Sequence, residues 1–156
     1  MSLPTWDKTF MDMAALIAKR SKDRSFQVGA VLVGPDCEVR SVGYNGFPRL
    51  VNDNIDERHL RPAKYLWTEH AERNAIYNAA RVGIQTKGCT LYVTTAPCMR
   101  CARAIIQSGI ESVVCNYEAP VDNLKDGSTP VPWWLEFQTA LQMFSEAGVI
   151  VRSPCT

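Results

Sequence analysis

The sequence predicts an α/β fold, a three-layer α/β/α domain with a five-stranded mixed sheet. Three observations carry this. Apolar residues recur at helical spacing in some stretches and at strand spacing in others. The order of these stretches is helix, hairpin, helix, strand, helix, strand, helix, strand. The chain has 156 residues, 46% hydrophobic and 21% charged, which is the size of one domain (residues 1–156) with a real core.

Thr5 to about Ser21 reads as the first helix. Thr5 suits its N-cap, and Trp6, Phe10, Met13 and Ile17 form one apolar face. Ser21-Lys22-Asp23-Arg24-Ser25 follows as a short polar linker. Val28 to Val33 is a nearly continuous apolar strand, Gly34-Pro35-Asp36 has turn chemistry, and Glu38 to Tyr44 alternates as its hairpin partner. Cys37 is expected as an exposed thiol at the turn. A long polar loop is expected from Asn45 to about Thr68, where Thr68 suits the cap of a helix from Glu69 to Arg81. Cys89 to Thr94 is a strand leading to Pro97, which suits the start of another helix, with Gly109 at its end. Ser112 to Cys115 is a strand. Asn116 to Pro132 has loop composition, Trp133 to about Gly148 is the last helix, and Val149 to Val151 the last strand. The tail Ser153-Pro154-Cys155-Thr156 is expected to fray.

The residues with chemistry are concentrated between positions 70 and 101. Cys98 and Cys101 lie three apart, which on a helix puts both sulfurs on one face, where they can share a metal. The positive end of a helix favours the thiolates that zinc requires. His70 supplies a third donor. Zinc prefers four ligands, and a catalytic site leaves the fourth position to water. Two thiolates cancel the formal charge of zinc, so the water benefits from a nearby base, and Glu72 is the candidate. Other readings of these residues stay open. A Cys-x-x-Cys pair also serves as a structural zinc half-site or a redox pair, and His59, Cys89 or Cys115 would complete a closed structural site.

The net charge of +1 provides no global field for nucleic acid, and no run is apolar enough to span a membrane. With no signal peptide in view, the cysteines outside the metal pair are read as reduced in a cytoplasmic protein.

The sequence resembles the cytidine and deoxycytidylate deaminase superfamily, and within it the deoxycytidylate (dCMP) deaminases. The resemblance runs through Ser21-Lys22-Asp23 with Gln27-Val28-Gly29-Ala30, Gly43-Tyr44-Asn45-Gly46, Lys64-Tyr65, His70-Ala71-Glu72 with Asn74-Ala75-Ile76, and Pro97-Cys98-x-x-Cys101. It implies a cytidine-deaminase-like fold and zinc-dependent hydrolysis of dCMP to dUMP. It also implies one Zn2+ per chain on His70, Cys98 and Cys101, with Glu72 as proton shuttle. Asn45 would contact the sugar, Ala71 would also contact the substrate, and Tyr117 is the candidate aromatic facing the base. Lys22 is a phosphate candidate inside the resembling segment, whereas Arg24 rests on charge and position alone. The same chemistry on another amino-nucleobase, a nucleoside or guanine is the alternative, and a non-catalytic zinc module is a third. The resemblance implies a small-molecule nucleotide substrate; the charge and the apolar runs argue against nucleic-acid and membrane partners, and the small size, Trp133, Trp134 and the long loop point to a homo-oligomer (dimer, tetramer or hexamer, as relatives show). Where relatives carry x-Pro-x-Gly after Gly-Tyr-Asn-Gly, the last position here is Leu50, a departure that bears on control by dCTP or dTTP.

Overall fold

In the computed structural model, residues 3–116 and 132–155 are described. Five helices and five strands alternate among them: α1 (Trp6–Ala18), β1 (Gly29–Val33), β2 (Val39–Tyr44), α2 (Lys64–Trp67), α3 (Ala71–Arg81), β3 (Thr90–Val93), α4 (Met99–Gln107), β4 (Ser112–Cys115), α5 (Trp133–Ala147) and β5 (Ile150–Arg152). The strands form one sheet in the order β2-β1-β3-β4-β5. β1 is antiparallel to β2 and to β3, whereas β4 runs parallel to β3 and to β5. The mixed sheet expected from the element order is therefore present.

One face of the sheet is covered by α1, where Phe10 and Ala14 pack against Val31, Val33, Tyr92 and Val114. The other is covered by α3, α4 and α5, with Ala75, Ile105 and Phe144 against Leu32, Leu91 and Val113. Two glycines set how closely the helices sit. A Cβ on Gly29 would lie 2.0 Å from the Ala14 carbonyl, and one on Gly43 would lie 2.3 Å from the backbone of both Ala71 and Ala75. Helix and strand backbones thus touch at both points, and Gly43 seats the first turn of α3.

Several sequence expectations need correcting. The buried face of α1 is Asp7, Phe10, Ala14 and Ala18, while Trp6 is 61% exposed and Met13 and Ile17 are only half-buried. The close approach at Gly29 sets Ala14 and Ala18 against the strand, so small residues mark the C-terminal part of the buried face. Thr5 does cap α1, accepting the Lys8 N–H at 3.2 Å. Thr68 does not cap α3; it closes α2, and His70 occupies the N-cap of α3. The 45–68 segment holds α2 and a 3-10 turn at Asp56–His59. Aromatic contacts order it, with Phe47 stacked on His59 at 4.8 Å and Arg58 over the Trp67 ring at 3.9 Å. The Ser21–Ser25 linker is not simply solvated: Ser21 is buried and donates to the Asn45 carbonyl at 2.7 Å. Cys37 is half-buried beside the α1 cluster, with φ +63°.

The C-terminal segment is held in place as far as Cys155. Asp7 pairs with Arg152 and accepts the Cys155 N–H at 2.9 Å and the Tyr92 hydroxyl at 3.0 Å, and Thr5 donates to the Cys155 carbonyl. No helix among the described residues is long and apolar enough to cross a membrane.

Candidate metal centre

Two helix starts converge on one point. His70 is the N-cap of α3 and Cys98 the N-cap of α4, and Cys101 lies on the first turn of α4. The first N–H groups of a helix lack intrahelical partners and carry partial positive charge, so both starts favour an anionic centre. Sheet register brings the starts together. Thr94 N–H donates to Gly29 O, which fixes the strand leading to Cys98, and a Gly46–Glu69 bridge fixes the residue before His70.

The donor atoms of His70, Cys98 and Cys101 all lie within 4.8 Å of one another, and this is the one such group of three or more metal-binding side chains among the described residues. His70 Nδ1 is 3.6 Å from Cys98 Sγ and 3.4 Å from Cys101 Sγ. Tetrahedral zinc with ordinary Zn–N and Zn–S bonds would space nitrogen and sulfur about 3.5 Å apart. The three side chains therefore already have the spacing of a zinc site. His59, Cys89 and Cys115, the alternative fourth ligands, are not in the group. His59 Nε2 lies 2.7 Å from the Asp53 carbonyl, and Cys89 Sγ lies 3.6 Å from an Arg40 nitrogen.

The electrostatics point the same way. The Cys101 thiol holds the Cys98 pKa down to about 3 against the cost of burial, with His70 adding to the effect. The proton shared with Cys98, together with burial, pushes Cys101 well above the usual thiol range. Two thiols this close are coupled through the protons they hold. A divalent ion would replace those protons and let both sulfurs be thiolates, so the donor set fits zinc.

Glu72 sits on the first turn of α3 and is 2% exposed. Burial raises its pKa, opposed by the charge of His70. Ala71 is fully buried at the start of the same turn. Beside them Glu69 accepts the His70 N–H at 2.8 Å and pairs with Arg73 one turn on. Arg73 Nε is the one buried side-chain nitrogen or oxygen without a hydrogen-bond partner among the described residues. Burial works against its charge, and Cys101, Glu69 and Cys98 more than offset it, so the guanidinium pKa is raised. Sequence reasoning passed over Arg73 and Glu69. Their i,i+4 spacing was legible, but what the guanidinium faces was not.

The substrate candidates are more scattered. Asn45 is buried; its Oδ1 accepts the Val28 N–H at 2.8 Å and its Nδ2 donates to Phe26 O at 2.9 Å, so the side chain braces the approach to β1. Lys22 pairs with Asp53 at 2.6 Å and Arg24 with Asp56 at 2.5 Å, all within an exposed rim. A pocket among Arg20, Lys22, Tyr44, Asp53, His59 and Lys64 includes Lys22 but neither Arg24 nor the three clustered donors. Deep in this rim Lys64 pairs with Asp23 at 2.8 Å, with side chains 9% and 7% exposed, which pins α2 to the 21–27 segment. Tyr117 lies outside the described residues. Trp133 packs against the core at the start of α5, whereas Trp134 is 54% exposed.

Comparison with known proteins follows the same residues. The family described as the cytidine and deoxycytidylate deaminase zinc-binding region matches residues 4–117. A protein of Aliivibrio fischeri named "Uncharacterized deaminase in luxG 3'region" is 44% identical over 146 residues, 94% of this chain and 91% of its own. The deoxycytidylate deaminases of Mus musculus and Homo sapiens are 40% identical over 114 residues, 70% of this chain; the chain spans 63% of their length. The crystal structure of dCMP deaminase from cyanophage S-TIM5 in complex with dCMP and dUMP superposes with a TM-score of 0.73 at 22% identity, covering 98% of this chain and 99% of that one, and so shares the fold.

Proposed function

This chain belongs to the cytidine and deoxycytidylate deaminase family, and on that footing we propose that it deaminates deoxycytidylate hydrolytically, giving deoxyuridylate and ammonia. One observation carries the reading: a buried carboxylate, Glu72, stands beside three donors already at zinc spacing.

His70, Cys98 and Cys101 hold one zinc ion per chain. Bound there, zinc would acidify a water molecule and accept negative charge as its oxygen attacks. Glu72 does the proton work. Its carboxylate takes a proton from the attacking water and delivers it to N3 of cytosine; it then takes the remaining proton from the new C4 hydroxyl and passes it to the amine, which leaves as ammonia as the C4–N bond breaks. Burial suits this role, because a carboxyl in a dry site holds a proton more readily than one in water. Asn45 fixes the wall of the site nearest β1, and Ala71 brings the backbone of the α3 start to the substrate.

Lys22 and Arg24 are the phosphate readers and Tyr117 the aromatic facing the base. Each cation exchanges a loop carboxylate, Asp53 or Asp56, for the phosphate when a nucleotide binds.

The test is ammonia release from zinc-loaded protein offered dCMP, CMP, deoxycytidine, cytosine and guanine in parallel, with Glu72→Ala as the blank. Turnover of dCMP well above the others is expected. Turnover of another amine with silence on dCMP would keep the chemistry and discard the substrate. Turnover undiminished in Glu72→Ala would discard the mechanism.

A further inference from the structure

We propose that Lys64 is a positioning residue for the nucleotide end of the site: through its buried pair with Asp23 it holds Lys22 and Arg24 at the rim, where they meet the 5′-phosphate. The inference rests on the phosphate reading above and goes beyond it, since Lys64 itself stays paired to Asp23.

Side chains alternate along the segment from Ser21 to Ser25. Lys22 and Arg24 stand outward, 68% and 59% exposed, against Asp53 and Asp56. Ser21 and Asp23 turn inward and fix the backbone between them. The Ser21 hydroxyl donates to the Asn45 carbonyl and accepts the Asp23 N–H at 3.1 Å. The Asp23 carboxylate accepts the Ser25 N–H at 2.9 Å, the Ser25 hydroxyl at 2.9 Å and the Phe26 N–H at 3.0 Å, which clamps the turn that carries Arg24. Lys64 closes the clamp. Its ammonium donates to the two Asp23 oxygens at 2.8 and 3.0 Å and to the Ser25 hydroxyl at 2.6 Å, one partner atom for each of its three N–H donors.

Among the described residues, three ion pairs join this segment to the 45–68 loop and α2, and they differ in exposure. Lys22–Asp53 and Arg24–Asp56 lie at the surface, where a pair is weak and readily exchanged. Lys64–Asp23 is withdrawn from water, and breaking such a pair strands a buried charge. Burial opposes the Asp23 charge, and Lys64 with the Ser25 and Phe26 amides more than offsets it, so the carboxyl pKa is lowered. The buried pair therefore persists while the surface carboxylates give way to a phosphate. It keeps the cations in register with the pocket that Lys22, Asp23 and Lys64 line. α2 begins at Lys64 and leads through the Gly46–Glu69 bridge to His70, so the same lysine ties the rim to the metal ligands.

The experiment compares zinc-loaded wild type, Lys64→Arg, Lys64→Met and the double variant Asp23→Asn/Lys64→Met. The readouts are calorimetric binding of dUMP and deoxyuridine, steady-state kinetics on dCMP, and urea unfolding. The double variant removes both charges and so keeps the fold where Lys64→Met alone leaves a buried carboxylate unpaired. Affinity for dUMP about 10-fold weaker in the double variant is expected, with affinity for deoxyuridine within twofold. KM for dCMP should rise in proportion with kcat within twofold, and Lys64→Arg should fall between the double variant and the wild type. Unchanged dUMP affinity in the double variant would overturn the proposal. So would equal weakening of dUMP and deoxyuridine, because the pair would then serve only the fold. If the double variant does not fold, the same ratio of dUMP to deoxyuridine affinity read in Lys64→Arg decides the matter. A wild type that binds dUMP no more tightly than deoxyuridine would instead sink the phosphate reading itself.

Discussion

Two buried polar clusters sit on opposite faces of the sheet, and they are built differently. On the α1 face, Asp7 is satisfied from every side by Arg152, Tyr92 and the Cys155 amide. On the α3–α4 face, His70, Cys98 and Cys101 have mainly one another, and Arg73 Nε has no hydrogen-bond partner among the described residues. Both clusters remove polar groups from water, which is unfavourable unless they are partnered. The first closes its own hydrogen bonds and ties both ends of the chain to the sheet. The second brings three donors within 4.8 Å of one another. A polar cluster that satisfies itself stabilises a fold, and one that does not is a place for a ligand.

The comparison breaks most sharply at Glu72. Glu72→Ala should lower kcat by about 10²–10⁴-fold while zinc content by metal analysis stays at that of the wild type. An equal effect from Asp7→Asn would erase the distinction between the two faces.

Next in size is removal of metal. A tight chelator should abolish turnover and destabilise the protein, and added zinc should restore both. Thermal midpoints with and without zinc check this, since a ligand that binds only the folded state must raise stability.

Asp7→Asn should destabilise by about 1–3 kcal/mol, less than a fully buried pair, because the Arg152 side chain is 39% exposed against 8% for Asp7. The readout is the urea midpoint, with kcat unchanged. The same variant tests the pH dependence. Arg152 holds the Asp7 carboxyl well below its ordinary range, against the opposing effect of burial. A carboxyl with a depressed folded pKa stabilises above the unfolded value, about pH 4, and that stability is lost as pH falls through the folded value. The wild type should therefore lose stability on acidification more steeply than Asp7→Asn.

The smallest stability effect is expected at the rim. Lys22→Ala should leave the unfolding midpoint in place, because its pair with Asp53 is solvent-exposed. It should raise KM for dCMP more than for deoxycytidine. Equal changes for the two substrates would remove Lys22 from phosphate recognition.

The sequence by itself determined the order of the five strands, the bounds of β4, the Thr5 cap and the grouping of His70, Cys98 and Cys101. Those features are local. Apolar periodicity and the Cys-x-x-Cys spacing are fixed by the geometry of a single strand or helix turn, and they survive whatever the helix packs against. Tertiary structure decided the rest. Only the contact at Gly29 shows that α1 buries its alanines and leaves Trp6 outside. Asn45, Lys22 and Arg24 read as free polar groups until the fold supplies Val28, Asp53 and Asp56 as partners. Arg73 looks like any surface arginine until the fold pairs it with Glu69 and buries its Nε. A side chain's type is written in the sequence, but what it faces depends on segments far away in the chain, and its energy in a buried site depends on that partner.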